Sequence, residues 1–507
     1  MIFNNILKLK SQEIPFGLKR KTSDNTSIEC YFGHTFVRHS IHNGGHHLSN
    51  EDLEPYRQIG DVQLDRIIDL LQTEGTPLGP SDDFLVLART SIQQTKQNPK
   101  SCSSSQKEIS EFIQQYHKLP PWVDMKQLKR GQDVFLSYAP VMGITLYYRS
   151  LVAGFAIPKI AAVIRSTGYL APPSKPDQVV KRLADTGQLL GACMAFGIEG
   201  LFPDGQGWKT ALRVRALHAK VRRAILSKQG RRSWDVKHFG IPINQEDMAG
   251  TLLAFCTNPI IGVEFIAGIS MSKQEMLDYL ALWRYIGWLL GVETDTNNEE
   301  TSDGRQHTCF HKPNALDPCG PGRGPNKDSV RHSESLLESI ITHILIPDET
   351  SIEVAHHLLL AKGNQKKQNK DDKQKSKGIN DFAFYIQSSI CRLFIGNPLA
   401  DALCLPQHPL RAHRIIVKIT SVLVLLVLRV YTLAVMKIPF FKNYMIKLNK
   451  SLLQRQHEEW QKNHTPKLMK LKSKTGLDSP PTAKSFSTRY KQSSCPFAMT
   501  MFPADDE

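Results

Sequence analysis

RVRALHAKVRRAIL, residues 213–226, sets apolar and basic residues in the 3.6-residue period of an amphipathic helix. Val214, Leu217, Val221 and Ile225 form the stripe expected to face a core, and His218 lies within it. Arg215 and Arg222 border that stripe, whereas Arg213, Lys220 and Arg223 take the opposite, wet side. The spacing predicts one inward imidazole with a guanidinium on each shoulder. Three readings of that imidazole stand: a core histidine bonded to a carbonyl, a general base, and an axial metal ligand. Zinc wants three or four protein ligands, and sequence places no serine or cysteine nucleophile beside His218. A haem iron takes four ligands from its porphyrin and needs little more than one imidazole. Arg215 and Arg222 would then pair with its propionates through charge-assisted hydrogen bonds.

The preceding apolar stretch, VVKRLADTGQLLGACMAFG (179–197), supplies an opposite wall. Arg182 and Thr186 stand four apart on one helical face, with Asp185 beside them. An arginine in such surroundings is costly unless paired. Two explanations remain open, an Arg182–Asp185 structural pair and a polar patch over a bound cofactor.

Helical signals are dense from about 108 to 292, with breaks or kinks expected at Pro140 and Pro158. Asn244 and Asp247, and Ser272 and Glu275, have the spacing of helix caps. Neither sustained period-two alternation nor a glycine-rich phosphate loop occurs. The fold class is therefore all-α, a single large globin-like-to-bundle helical domain with loop insertions. The expected division is an N-terminal extension over 1–107, a catalytic domain over 108–410 with insertions at 295–333 and 362–378, a hydrophobic helix over 411–450, and a basic disordered tail over 451–507. QQTKQNPKSCSSSQKE (93–108) reads as a linker, and the histidine-rich run between 31 and 50 as an exposed loop rather than a metal site.

The 507 residues are 41% hydrophobic and 22% charged, as in an ordinary folded protein. Much of the net charge of +16 sits in 362–378 and after Phe441. Those tracts lack the aromatic interleaving of a nucleic-acid platform, so no nucleic acid is expected as partner. An odd count of nine cysteines without a CxxC argues against a disulfide framework or thiolate zinc site. No cleavable signal peptide is evident in MIFNNILKLKSQEIPF, which leaves an intracellular or endomembrane location as the expectation. IIVKITSVLVLLVLRVYTLAVMKIPFF (415–441) is the one membrane candidate. A span wants about 20 apolar residues, and a mid-bilayer charge such as Arg429 costs roughly 2.5–3.5 kcal/mol. A buried core helix, an interfacial helix and a span all remain open, with a membrane as candidate partner.

Several ordered runs resemble one family. They are PPWVD and GQDVFLSYAP (120–140), SLVAGFAIPKIAAVIRSTGYL (150–170), KRLADTGQLLGACM (181–194), DGQGWKTALRVRALHAKVRRAIL (204–226), WDVKHFGIPINQEDMAGTLLAF (234–255), EMLDYLALWRYIGWLLGVE (275–293) and RLFIGNPLADALCLP (392–406). Together, over about 110–410, they resemble the family of the rubber oxygenase (latex clearing protein) and the endoplasmic-reticulum-bound oxygenase of mycophenolic acid biosynthesis. The resemblance implies an all-helical fold around one b-type haem, with O2 and an apolar or prenyl-chain substrate. It implies His218 as the proximal iron ligand and Arg182 and Thr186 as the Arg-x-x-x-Thr pair of the pocket. The chain departs from the rubber enzyme at Asp185, where that enzyme has a lysine. It also lacks an acidic residue in 160–170, where that enzyme's base would fall. The implied chemistry is cleavage of a C=C bond to two carbonyl products. The alternatives are another haem oxidoreductase, a monooxygenase requiring an electron donor or a peroxidase-like enzyme, and a non-enzymatic membrane-associated scaffold.

Overall fold

Helix caps organise the chain where short-range sequence marks them. A computed structural model describes residues 27–31, 34–38, 48–74, 83–97, 103–167, 176–228, 233–293, 316–320, 325–326, 328–363 and 373–464. In chain order the helices are α1 (Asn50–Arg57), α2 (Val62–Thr73), α3 (Phe84–Gln97), α4 (Ser104–His117), α5 (Met125–Thr145), α6 (Pro158–Ser166), α7 (Pro176–Met194), α8 (Gln206–Leu226), α9 (Val236–Phe239), α10 (Gln245–Ala267), α11 (Lys273–Leu290), α12 (Ser329–Ile344), α13 (Glu349–Gly363), α14 (Lys373–Ile395), α15 (Asn397–Ala402), α16 (Arg411–Lys437) and α17 (Pro439–His464). Asp124 caps α5, and reciprocal capping boxes open α10 (Asn244 with Asp247) and α11 (Ser272 with Glu275).

The all-α expectation holds for the body. Its exception is an antiparallel hairpin, Ser27–Tyr31 with His34–Arg38, pairing Ser27 with Arg38 through to Tyr31 with His34. Aromatic and β-branched residues at 35–37, a glycine at 33 and a two-residue connection favour strands over the expected loop. His34 opens the second strand; His39, His42, His46 and His47 lie outside the described residues. The expected linker at 93–108 is interrupted as well. α3 runs through its first residues, and Ser103 with Gln106 forms a capping box that starts α4. Serine and glutamine read as linker composition act here as a helix start.

The prolines inside α5 and α10 are matched by donors from elsewhere. Pro140 lies within α5, which continues into a π-helical turn, Leu146–Val152, before the chain breaks and Pro158 opens α6. Proline has no N–H for the Leu136 carbonyl four residues back, and Asn449 Nδ2 of α17 donates to that oxygen at 2.7 Å. Tyr431 of α16 donates to the neighbouring Ser137 carbonyl at 2.6 Å. In α10, Pro259 frees the Phe255 carbonyl, which accepts the Tyr279 hydroxyl at 3.0 Å. Replacing Asn449 with leucine is therefore expected to destabilise by about 1–3 kcal/mol, the cost of one buried acceptor left without a partner. Chemical denaturation measures it, and the same change made at exposed Gln456 serves as the comparison.

One contiguous core runs from Leu48 to Met445. Its densest seam joins α5 and α11, where Gly131 lets the α5 backbone lie against the Asp278 carbonyl and Leu282. Trp283 and Trp288 pack as core, Trp283 stacked on Phe255 and Trp288 against Tyr116 and Tyr285. The stretch expected to be an N-terminal extension contributes Leu53, Leu64, Ile67 and Phe84 to this same core. At the other end, α17 extends to His464, so 451–464 belongs to a packed helix rather than to a tail. Its anchors include Lys442 on Glu275 (2.6 Å) and Gln454 on the Ala195 carbonyl (2.8 Å). Of the expected insertions, most of 295–333 and part of 362–378 lie outside the described residues. Within the first, Asp317 is fully buried against Arg284 at 2.7 Å, and Arg284 lies over the Trp122 ring.

Candidate active site

The face of α8 buried most deeply is centred on Leu212, Arg215, Ala216, Ala219 and Arg222, about one residue round from the predicted stripe, whose Val214, Leu217 and His218 are only half-buried. Val221 and Ile225 are buried with Leu217, Val163 of α6, Trp234 and Ile243. Arg213 is exposed. Arg215 and Arg222 are both buried, and each already holds a protein carboxylate. Arg215 makes a two-point pair with Asp61 at 2.5 and 2.8 Å and lies over the Tyr116 ring. Arg222 binds both Asp65 oxygens at 2.8 Å and donates to the Pro242 and Ile243 carbonyls at 3.2 and 2.8 Å. The sequence reading aimed these two guanidiniums at a cofactor's carboxylates. The structure supplies Asp61 and Asp65 instead, because α2 folds back onto α8.

His218 sits between those ion pairs and is left without a bond. Its Nδ1 is buried and makes no hydrogen bond. The ring as a whole is only half-buried, so its accessible part is not the Nδ1 side. Burial is nonetheless deep enough to push its pKa down to about 4, aided by the Arg222 charge and opposed by Asp61. The imidazole is thus desolvated at Nδ1 and keeps accessible surface elsewhere on the residue. It stays neutral through the physiological range and keeps a lone pair for a ligand bond. The carbonyl-bonded core histidine of the first reading is not what the structure holds.

The opposite wall is α7, packed along α8. Thr186 is half-buried there, and the backbone of Arg182 lies one turn earlier, while the Arg182 side chain falls outside the described residues. At Gly187 an added Cβ would meet nothing within 4 Å, and the same holds at Gly154 just before α6. Both positions are half-buried. Half-buried apolar residues recur on the three helices: Ile160 and Ile164 on α6, Leu183 and Leu190 on α7, Val214 and Leu217 on α8. Asp185, at the position of the rubber enzyme's lysine, is buried and accepts the Trp460 indole N–H of α17 at 2.6 Å. That contact gives the departure a structural meaning, since the carboxylate ties the C-terminal helix to the pocket wall.

Sequence reasoning did not single out the charged groups that position α6 and the π-helical turn. Lys159 is buried between Glu246 (2.5 Å) and Asp247 (2.8 Å), and Arg57 completes the cluster on Glu246 at 2.8 Å. Burial raises the Glu246 pKa, but the bonds and charges of Arg57 and Lys159 outweigh it and hold the group ionised. Arg149 in the π-helical turn donates to Asn258 at 3.1 Å, and burial lowers its pKa to about 9. Glu338 is pushed up to about 8 by burial and then by Glu334, against the pull of Arg149. The signal available beforehand was a charge inside an apolar run, in AIPKIAA and LYYRSLV. The thiols are inert by comparison, since burial pushes Cys193 and Cys256 up to about 12.

Among the described residues, no three histidine, cysteine or carboxylate side chains converge on a metal position. A metal held through His218 would have to bring its other ligands with it, as a porphyrin does.

The family model described as "ER-bound oxygenase mpaB/B'/Rubber oxygenase, catalytic domain" matches residues 139–424, more than half of the chain. The chain belongs to this family. The match covers the helices from the end of α5 to the middle of α16, including the α7 and α8 walls. This member of the oxygenase family is thus an oxygenase, for which O2 and an apolar substrate are the general expectation. A solved structure titled "Structure of Latex Clearing Protein LCP in the closed state" aligns at 16% identity with a TM-score of 0.46, covering 74% of this chain and 90% of that one. No curated protein sequence matches the chain.

Proposed function

We propose that this oxygenase depends on a b-type haem and cleaves a C=C bond of an apolar, isoprenoid substrate with O2. The observation that carries the reading is the His218 imidazole, neutral and unbonded at Nδ1, on a helix that packs along α7. The donor set fits a haem: one unbonded imidazole and, among the described residues, no group of three protein ligands that could hold a metal by itself. When bound, the haem supplies the redox chemistry that activates O2.

The chain's own residues bind, orient and exclude. His218 would hold the iron through an imidazole nitrogen. Thr186, half-buried on the facing helix, is assigned to the polar side of the site. Arg182, one turn earlier in sequence, is assigned to an anionic edge of the haem or to a polarised oxygen. Arg215 and Arg222 act at one remove: by holding Asp61 and Asp65 they clamp α8 and set the imidazole's depth. The half-buried aliphatic residues of α6, α7 and α8 place an alkene chain and keep water out. The overall change balances with no external reductant, since one alkene and one O2 give two carbonyl groups. Membership of the oxygenase family, rather than any spectrum, is what sets the scaffold alternative aside.

Purified protein incubated with a soluble isoprenoid and 18O2 tests the reaction class. One label in each of two carbonyl ends, with exchange into water controlled, is the expected result. A single labelled alcohol or epoxide, formed only with a reductant, would move the reading to monooxygenation. Arg182→Ala is expected to lower haem occupancy or turnover more than Arg223→Ala, because Arg223 lies on the outer side, paired with Asp69.

A further inference from the structure

The carboxyl-terminal hairpin α16–α17 turns unlike faces to the protein and to solvent. On the inner side of α16, Val417, Ser421, Leu425, Thr432 and Val435 are buried. Ser421 bonds to Ser389 of α14 at 3.0 Å, and Tyr431 bonds to α5. On the outer side, Ile415, Ile419, Leu423, Val427 and Val430 form a single aliphatic stripe at three- and four-residue spacing, each 53–69% exposed. The corner into α17 adds Ile438 at 50% and Phe440 at 83%.

Arg429, the only charge between Ile419 and Met436, does not interrupt that stripe. It is turned toward the body, its guanidinium against Gly268, the left-handed cap of α10, where an added Cβ would lie 3.0 Å from it. Helix carbonyl ends favour a cation there. Cations gather instead toward the two ends of the stripe: Arg411 and Arg414 before it, Lys418 within its first turn, and Lys437 and Lys447 after it, all exposed. A spanning helix would need lipid or apolar partners around it for about 20 residues. α16 is bonded along its length to a body carrying polar and charged surface, so only one of its faces is open to lipid.

We infer that the outer face of α16, with the Ile438–Phe440 corner, docks onto one leaflet of an anionic membrane with the helix lying in the bilayer plane. An aliphatic stripe with cationic ends matches acyl chains below and acidic headgroups around it. Protein interfaces favour tyrosine, tryptophan and arginine anchors and deplete lysine, the opposite composition. The inference stands apart from the haem reading, and its readouts need no haem.

Flotation of the full chain with phosphatidylcholine vesicles, with and without phosphatidylserine, tests it. Binding to the anionic vesicles is expected, with release by alkaline carbonate. The double change Leu423→Glu and Val427→Glu should reduce binding about ten-fold or more, leaving the melting temperature unchanged because both side chains point outward. Phe440→Glu gives a second probe should the double variant fail to fold. Absence of vesicle binding, or binding untouched by these changes in folded protein, would overturn the inference. So would resistance to carbonate extraction, which marks a span. A dimer without lipid that the glutamates convert to monomer would assign the stripe to a second copy of the chain and likewise overturn it.

Discussion

If His218 holds a haem as proposed, His218→Ala protein is expected to purify without stoichiometric haem, its Soret absorbance and pyridine haemochrome yield falling at least about ten-fold below wild type. Apoprotein stability separates ligation from general damage. In the apoprotein the His218 Nδ1 is buried without a partner, and such a group costs about 1–3 kcal/mol. Removing it should leave apoprotein stability unchanged or raise it when the replacement is leucine. Haem loss together with a stable apoprotein is therefore the expected signature. Equal haem content and unchanged spectra in wild type and variant would refute the axial assignment.

The same imidazole sets a pH dependence. Its folded pKa of about 4 lies below the ordinary histidine value, so the unfolded chain binds the proton more readily. Stability contributed by keeping His218 neutral is present above about pH 6.5 and is lost as pH falls toward 4. The loss is of the order of 2 kcal/mol in apoprotein. Urea denaturation between pH 7 and pH 4 should show a smaller decline in His218→Leu than in wild type. Parallel declines would mean the imidazole is hydrated in the fold.

The second large effect is expected at Arg215. Asp61 and Arg215 are each no more than 4% exposed and meet at 2.5 Å. Removing one member of a buried pair leaves an uncompensated charge, typically a loss of about 3–5 kcal/mol. Arg215→Ala should be destabilised by that amount in the absence of haem, whereas Arg213→Ala should lose no more than about 1 kcal/mol, its pair with Asp83 being surface-exposed. If Arg215 instead bound a haem propionate, the apoprotein would tolerate its loss and only haem affinity would fall. Denaturation of apo and haem-loaded protein distinguishes the two.

The sequence by itself determined what neighbours along the chain decide: the helical period and the capping pairs at 244/247 and 272/275. These follow from groups three or four residues apart, within one turn of one another. It also carried the family, whose runs are spread in order across most of the body. Tertiary structure alone decided the partners. Arg215 meets Asp61 across 154 residues, Arg222 meets Asp65 across 157, and Asp185 meets Trp460 across 275. Nothing in local spacing ranks a distant carboxylate above a cofactor's. Each stretch of sequence states how much charge or apolar surface must be satisfied, and only the folded chain states what satisfies it. For α16 the same division holds: composition made it apolar, and packing left one face of it open.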